Sequence, residues 1–243
     1  MNQQMRSILL LRAALVTAGG QVLISAGSIA AVGGFLRDAL LCRRVRPLSL
    51  VDATAAFGYQ FVAKPWMRSW GATPAEVKRT LPGDELVPEP RIQITHAVTI
   101  AAPVEQVWPW LAQIGQDRGG FYSYEWLENL AGCEMRNADR VHPEWQEREV
   151  GEPVPLHPAA PGLPVTIFEP GRVIGLEGWG IFLVEPAGDG ATRLIARGRI
   201  PGGLSFIGYE ALLDIPHFVM QRKMLLEIKA RAEAEPVHPP TES

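Results

Sequence analysis

Residues 92–115 read IQITHAVTIAAPVEQVWPWLAQIG, and the period of the apolar side chains changes partway along them. At the start Ile92, Ile94, His96, Val98 and Ile100 alternate with Gln93, Thr95, Ala97 and Thr99, the two-residue period of a strand. One histidine therefore points where isoleucines and valines point. From Pro103 onward the apolar residues recur at Val104, Val107, Trp108 and Leu111, the spacing of one helical face. Pro109 should kink that helix, because it removes a backbone donor and crowds the preceding turn.

Working toward the C-terminus, Gly119-Gly120 reads as a turn between two helices. The second helix has Ser123 as its N-cap, Tyr122 and Leu127 as a hydrophobic staple and Gly132 as its stop. After NADRVHPEWQ come short apolar runs bounded by Gly and Pro, EPVPL, LPVTIFE, GRVIGLEGWGIFLVE and ATRLIARGRI, which read as antiparallel strands with PAGDG as a hairpin loop. In the last of them Arg193, Ile195, Arg197 and Arg199 share one face, a basic outer one, and Leu194, Ala196, Gly198 and Ile200 the other. The chain then becomes helical, broken near Pro216, with Met220, Met224 and Ile228 on one side. The tail over 234–243 is unstructured by composition. The fold class is thus α+β: a curved antiparallel sheet, two short helices and a long C-terminal helix, with small residues and methionines facing one another across a cavity.

Working toward the N-terminus, GDELVPEP is a linker, and Thr73-Pro74-Ala75-Glu76 is a capping box opening a short helix that ends by Leu81-Pro82-Gly83. Residues 47–70 read as a packing or membrane-proximal segment, so 47–90 is set apart from a domain over 91–233. Residues 1–46 differ again. Positions 13–35 hold 23 residues without a charge, enough at about 1.5 Å per residue to cross a hydrocarbon core of roughly 30 Å. Five glycines dilute the span, and a cleavable signal peptide or a buried helix are the rival readings. Arg37, Arg43, Arg44 and Arg46 beyond it favour a single-pass membrane anchor with the body in the cytoplasm.

Of the formal net charge of -3, residues 1–46 contribute six Arg and one Asp, leaving the body acidic. Its net charge gives it no pull on nucleic acid. Cys42 and Cys133 are too few for a disulfide framework and are expected to be reduced. No phosphate-binding loop, dinucleotide fingerprint, nucleophile elbow or zinc-protease motif occurs, and no cofactor is expected.

The strand ITHAVTI followed by AAPVEQVWPWLAQIG, then RGGFYSYEWLENLAG, NADRVHPEWQ and PHFVMQRKMLLEIKARAE, resembles the SRPBCC superfamily of START and Bet v 1-like helix-grip proteins. Within it the aromatic stretch is similar to bacterial members grouped near the polyketide cyclase and dehydratase family. The resemblance implies a cavity between sheet and C-terminal helix that holds a lipid, polyketide or similar molecule. Binding, transport and catalysis all occur on such folds, so fold alone does not choose.

His96 is the sharpest candidate, either a general acid or base in a cavity or a core histidine satisfied by a backbone carbonyl. Tyr122, Tyr124, Glu125 and Trp126 form a rim over the cavity or merely pack a short helix. Trp108, Trp179, Ala196, Gly198, Met220 and Met224 complete the expected ligand-binding wall. Asp117, Arg118 and Glu125 read as a solvated surface cluster. Asp139, Arg140, His142 and Glu144 match no metal spacing, and their loop reads as tied by Asn137 and Arg140. The preferred reading is a membrane-tethered carrier or sensor of a small hydrophobic molecule. An alternative is a cyclase, aromatase or dehydratase using His96 with Tyr122 or Tyr124; another is a protein-interaction module docking through the aromatic stretch.

Overall fold

The computed structural model describes residues 54–55 and 57–234. The anchor candidate over 13–35, its basic flank, Cys42 and the tail from 235 lie outside the described residues. Among those described, no helix is long and apolar enough to cross a membrane.

The architecture is α+β: a curved, six-stranded antiparallel sheet with a long C-terminal helix, compatible with a helix-grip arrangement. In chain order come α1 (Lys64–Arg68), α2 (Pro74–Lys78), β1 (Ile92–Ile100), α3 (Val104–Ala112), α4 (Glu125–Leu130), β2 (Pro153–Val154), β3 (Leu163–Glu169), β4 (Val173–Leu176), β5 (Gly180–Pro186), β6 (Thr192–Ile200), α5 (Leu204–Gly208) and α6 (Asp214–Ala234). The spatial order β1-β6-β5-β4-β3-β2 makes β1 an edge strand, and a register shift between Val165 and Ile167 bends the far side of the sheet.

The alternation in β1 predicts its inner face. His96 lies opposite Ala196, Ile94 opposite Gly198 and Val98 opposite Leu194, so Ala196 and Gly198 do face inward. Over that face Val98, Leu194, Ala196 and Phe182 pack with Trp108, Trp110 and Leu111 of α3 and with Met224, Leu225 and Ile228 of α6 in one continuous core. Each of the Val, Leu, Ile, Phe and Met side chains among them, fully buried, stabilises the fold by about 1.5–3 kcal/mol.

The outer face differs from expectation. It is basic, yet Arg197 is only 2% exposed, because residues 72–86 lie across it. The guanidinium binds the Arg79 carbonyl at 2.9 Å, the Asp84 carboxylate at 2.9 Å and the Thr95 hydroxyl at 3.1 Å, and it also reaches the Glu76 carbonyl. Five donors in a fixed fork can satisfy the carbonyls of a short irregular segment, and that is how this segment is held. The capping box is formed as predicted, with Glu76 and Thr73 exchanging backbone and side-chain bonds. Glu76 also takes Arg193, whose guanidinium holds its carboxyl down at about 2.

To reach the outer face the chain wraps around the β1 edge, where the Ala97 N–H donates to the Trp70 carbonyl at 3.1 Å. Gly71 makes the crossing with φ of 72°, and a Cβ there would sit 2.0 Å from the Ala97 carbonyl oxygen. The open strand edge is thereby covered.

Three further local expectations are corrected. The second short helix begins at Glu125 with Tyr124 as an uncapped N-cap; Ser123 instead donates its hydroxyl to the Met220 carbonyl at 3.2 Å. Tyr122 forms no staple: it takes a left-handed φ of 52° and is wholly buried. The Pro216 break is a π-helical turn, Tyr209–Leu213, that joins α5 to α6 without ending the helical run. The same device, Tyr59–Ala63, precedes Pro65 in α1. A widened turn relieves the clash between a proline ring and the carbonyl four residues earlier.

Candidate functional site

A pocket of about 890 Å³ opens at the end of the sheet where β6 runs out, between the loop after α2 and the α5 turn. Its wall is largely aliphatic, with Leu86, Leu176, Ile181, Ile200, Leu212 and Leu213, and its polar residues include Asp84, Glu177, Arg197, Arg199 and Tyr209. The Arg197 donors are consumed by the cover segment. Arg199 binds the Asp84 and Pro88 carbonyls but keeps a buried Nε without a partner.

Tyr209 connects this pocket to a polar cluster under the start of α6. Its hydroxyl lies 2.8 Å from His217 Nδ1, and the His217 and His96 rings stack with centroids 6.3 Å apart. His96 Nε2 is 2.7 Å from the Met67 carbonyl oxygen, which only accepts, so Nε2 carries the proton and Nδ1 is a bare acceptor. That Nδ1 has no partner, and neither does the buried Gln221 amide oxygen. Burial holds His96 below the ordinary imidazole range, and burial together with the neighbouring His96 pushes His217 down to about 3. Burial raises the Tyr209 phenol. All three groups are therefore neutral at physiological pH.

A charged seam closes the cluster. Arg68 contacts Glu210 and lies 3.0 Å from Asp214, and Lys64 contacts Glu210 and lies 3.7 Å from Asp214. Burial alone would raise Glu210, but the bonds from Lys64 and Arg68 outweigh it and hold its carboxyl low. Chemically, the arrangement offers a pocket-lining tyrosine whose hydroxyl is tied to a pair of neutral imidazoles beside a paired ion cluster.

The residues anticipated from sequence fall elsewhere, and none of them lines the pocket. His96 is on the inner face as expected and adopts the second of its two readings, a core histidine bound to a carbonyl. Trp108, Tyr122, Ala196 and Met224 belong to the packed core, with Trp108 against Phe168 at 5.6 Å and Trp179 against Phe121 at 4.9 Å. Tyr122 is not a rim residue: its hydroxyl accepts from Gln113 Nε2 at 2.8 Å in the interior, and burial raises its phenol. Gly198 is buried, and a Cβ there would approach the Trp179 carbonyl at 3.1 Å. Tyr124 lies under Lys223, Trp126 is 67% exposed, and Met220 is half-buried. Arg118 pairs with Glu152 at 2.7 Å rather than with Asp117 or Glu125, because the loop carrying Glu152 folds against it. The Asn137 tie is present, its side-chain oxygen accepting from the Tyr122 N–H at 2.7 Å, whereas Arg140 contributes its carbonyl to Gln113. Among the described residues no three His, Cys, Asp or Glu side chains are grouped to hold a metal ion.

Tyr209, His217, Asp84 and Arg199 were not singled out from sequence. For Tyr209 and His217 the available signal was a phenol and an imidazole set among the apolar residues of YEALLDIPHFVM; Asp84 and Arg199 carried none.

Apart from this cluster, Glu128 is 7% exposed with an unpartnered Oε2, and burial, then Glu125, raises its carboxyl to about 7. The folded chain thus keeps a proton that the unfolded chain releases near 4.5, the ordinary carboxyl value. The stability associated with the protonated form is fully present below that value and is lost as pH rises through about 7. Glu128→Gln should raise the melting temperature by a few degrees at about pH 8 and leave it unchanged at about pH 4. Thermal unfolding at the two pH values checks this, and an equal shift at both would remove the titration argument.

Comparison with protein-family models, with curated proteins and with solved structures returned no match.

Proposed function

We infer that this chain binds a small, mostly hydrophobic molecule as a carrier or sensor, tethered to a membrane by its N-terminal segment. The observation that carries the reading is the pocket of about 890 Å³. Its size lies within the range of small-molecule sites, and an aliphatic wall with a few placed polar groups is their usual composition. The ligand space is the β6-end pocket, whereas the sheet-to-helix interior anticipated from the helix-grip resemblance is occupied by Trp108, Phe182 and Met224. An apolar body would lie along Ile181, Ile200 and Leu213, with a polar end toward Tyr209 and Arg199.

Full-length protein, extracted with organic solvent and examined by mass spectrometry, is expected to release one class of apolar compound at near-stoichiometric yield. Ser205→Trp, placed on the pocket wall at an exposed position, should lower that yield. The released compound at a hundredfold excess over its Kd should raise stability by about 2.7 kcal/mol, or roughly 5–10 °C in Tm. No retained compound, together with no Tm response to fatty acids, sterols or aromatic polyketides, would remove the proposal.

The cyclase or dehydratase alternative draws on one specific observation: Tyr209 is a pocket-lining residue whose hydroxyl lies 2.8 Å from His217 Nδ1. In that reading Tyr209 polarises a carbonyl and His217 orients the phenol. Turnover of the extracted compound by wild type but not by Tyr209→Phe would favour it.

A further inference from the structure

The two helical runs that carry the π turns meet along the Lys64, Arg68, Glu210 and Asp214 seam. Their cations are turned inward to carboxylates, and large apolar side chains are left on the outside. On the first run Phe57, Phe61, Val62 and Trp66 are exposed, Phe61 at 67% and Trp66 at 55%. On the second, Leu204, Ile207, Leu212 and Leu213 are exposed, Leu204 at 86%. Leu212 and Leu213 also line the pocket, so this apolar surface borders the pocket mouth. Exposed apolar surface of this density on a folded domain marks a docking site rather than a solvated face.

We propose that this face rests on the lipid bilayer, with the rings of the 57–66 run and the leucines of the 204–213 run entering the interface. The chain itself identifies the occupant. Positions 13–35 carry no charge and are long enough to span the hydrocarbon core, and a segment used in spanning cannot cover the face. Arg37, Arg43, Arg44 and Arg46 lie between that stretch and the first described residues, where they suit anionic headgroups. The next exposed aromatic side chains along the described chain are Phe57, Phe61 and Trp66, of the types that settle at membrane interfaces. The pocket mouth is then held at the bilayer surface, where an apolar compound can move between lipid and protein without crossing water. The docking rests on the membrane-tether reading above but not on what the pocket holds.

The test uses the full chain, with Cys42 and Cys133 replaced by serine, reconstituted in mixed phosphatidylcholine and phosphatidylglycerol vesicles. A nitroxide is placed by Val62→Cys, by Ile207→Cys, or at a control site by Val150→Cys, the last exposed and away from the face. Collision with lipid-soluble oxygen is expected to exceed collision with a water-soluble nickel chelate several-fold at 62 and 207, and the order to reverse at 150. Nickel access at all three positions would overturn the proposal, since the face would then be in water. Exclusion of both reagents from 62 and 207 would also overturn it, assigning the face to residues 13–35 folded back or to a second copy. Failure of the chain to bind the vesicles would overturn it as well. None of these outcomes bears on the extraction experiment above.

Discussion

Asp84→Ala is expected to destabilise the protein by about 3–5 kcal/mol, lowering Tm by something on the order of 10 °C. The carboxylate accepts from Arg197 at 2.9 Å and from the Leu81 N–H at 3.0 Å, and it lies 3.6 Å from Arg199. Removing it leaves the Arg197 guanidinium, 2% exposed, without a counter-ion. The loss arises from that stranded charge and not from the pair's own worth, so Asp84→Ala with Arg197→Met should recover much of it. A double-mutant cycle in urea separates the two contributions. A single-variant loss below about 1 kcal/mol would mean that residues 72–86 detach easily from the sheet, and the pocket wall at Asp84 with them.

Trp110→Ala is expected to cost about 3–5 kcal/mol, the range for truncating a buried aromatic. Trp110 is 2% exposed, stands edge-on to Tyr122 at 5.8 Å, and has the Arg231 guanidinium 5.9 Å from its ring. It therefore joins α3, the loop before α4 and the last turns of α6. The space it leaves is ring-sized and faces the Tyr122 ring, so benzene should raise the Tm of the variant and not that of the wild type. Denaturant unfolding with and without benzene makes the measurement. A small loss, with benzene stabilising the wild type too, would show the interior between sheet and helix to be loosely filled, and would return the ligand to the place the helix-grip resemblance implies.

Local periodicity made much of the architecture legible. The alternation in 92–100 specified the inner face of β1, and the matching alternation in 192–200 correctly put Ala196 and Gly198 inward, because a strand's side-chain period is fixed by its backbone. The capping box at Thr73 was readable for the same reason: Thr73 and Glu76 bond within one turn, so no distant residue is needed. Tyr122 shows where this ends. Its neighbours suggest a helix staple, but Gln113 and Asn137 bind it from other parts of the chain and draw it into the core.

The candidate site lies on the far side of that boundary. Tyr209 and His217 are eight residues apart in one helical run, yet His96 reaches them only because β1 packs under α6. Arg197 meets Asp84 only because 72–86 crosses the β1 edge at Gly71. The chain by itself determined the α+β class, the strand faces and a long final helix, all products of short-range backbone sterics and apolar period. Tertiary packing alone decided which arginines are buried, where the pocket opens and which face is left apolar. Those outcomes rest on contacts between residues a hundred or more positions apart, and no local pattern encodes them.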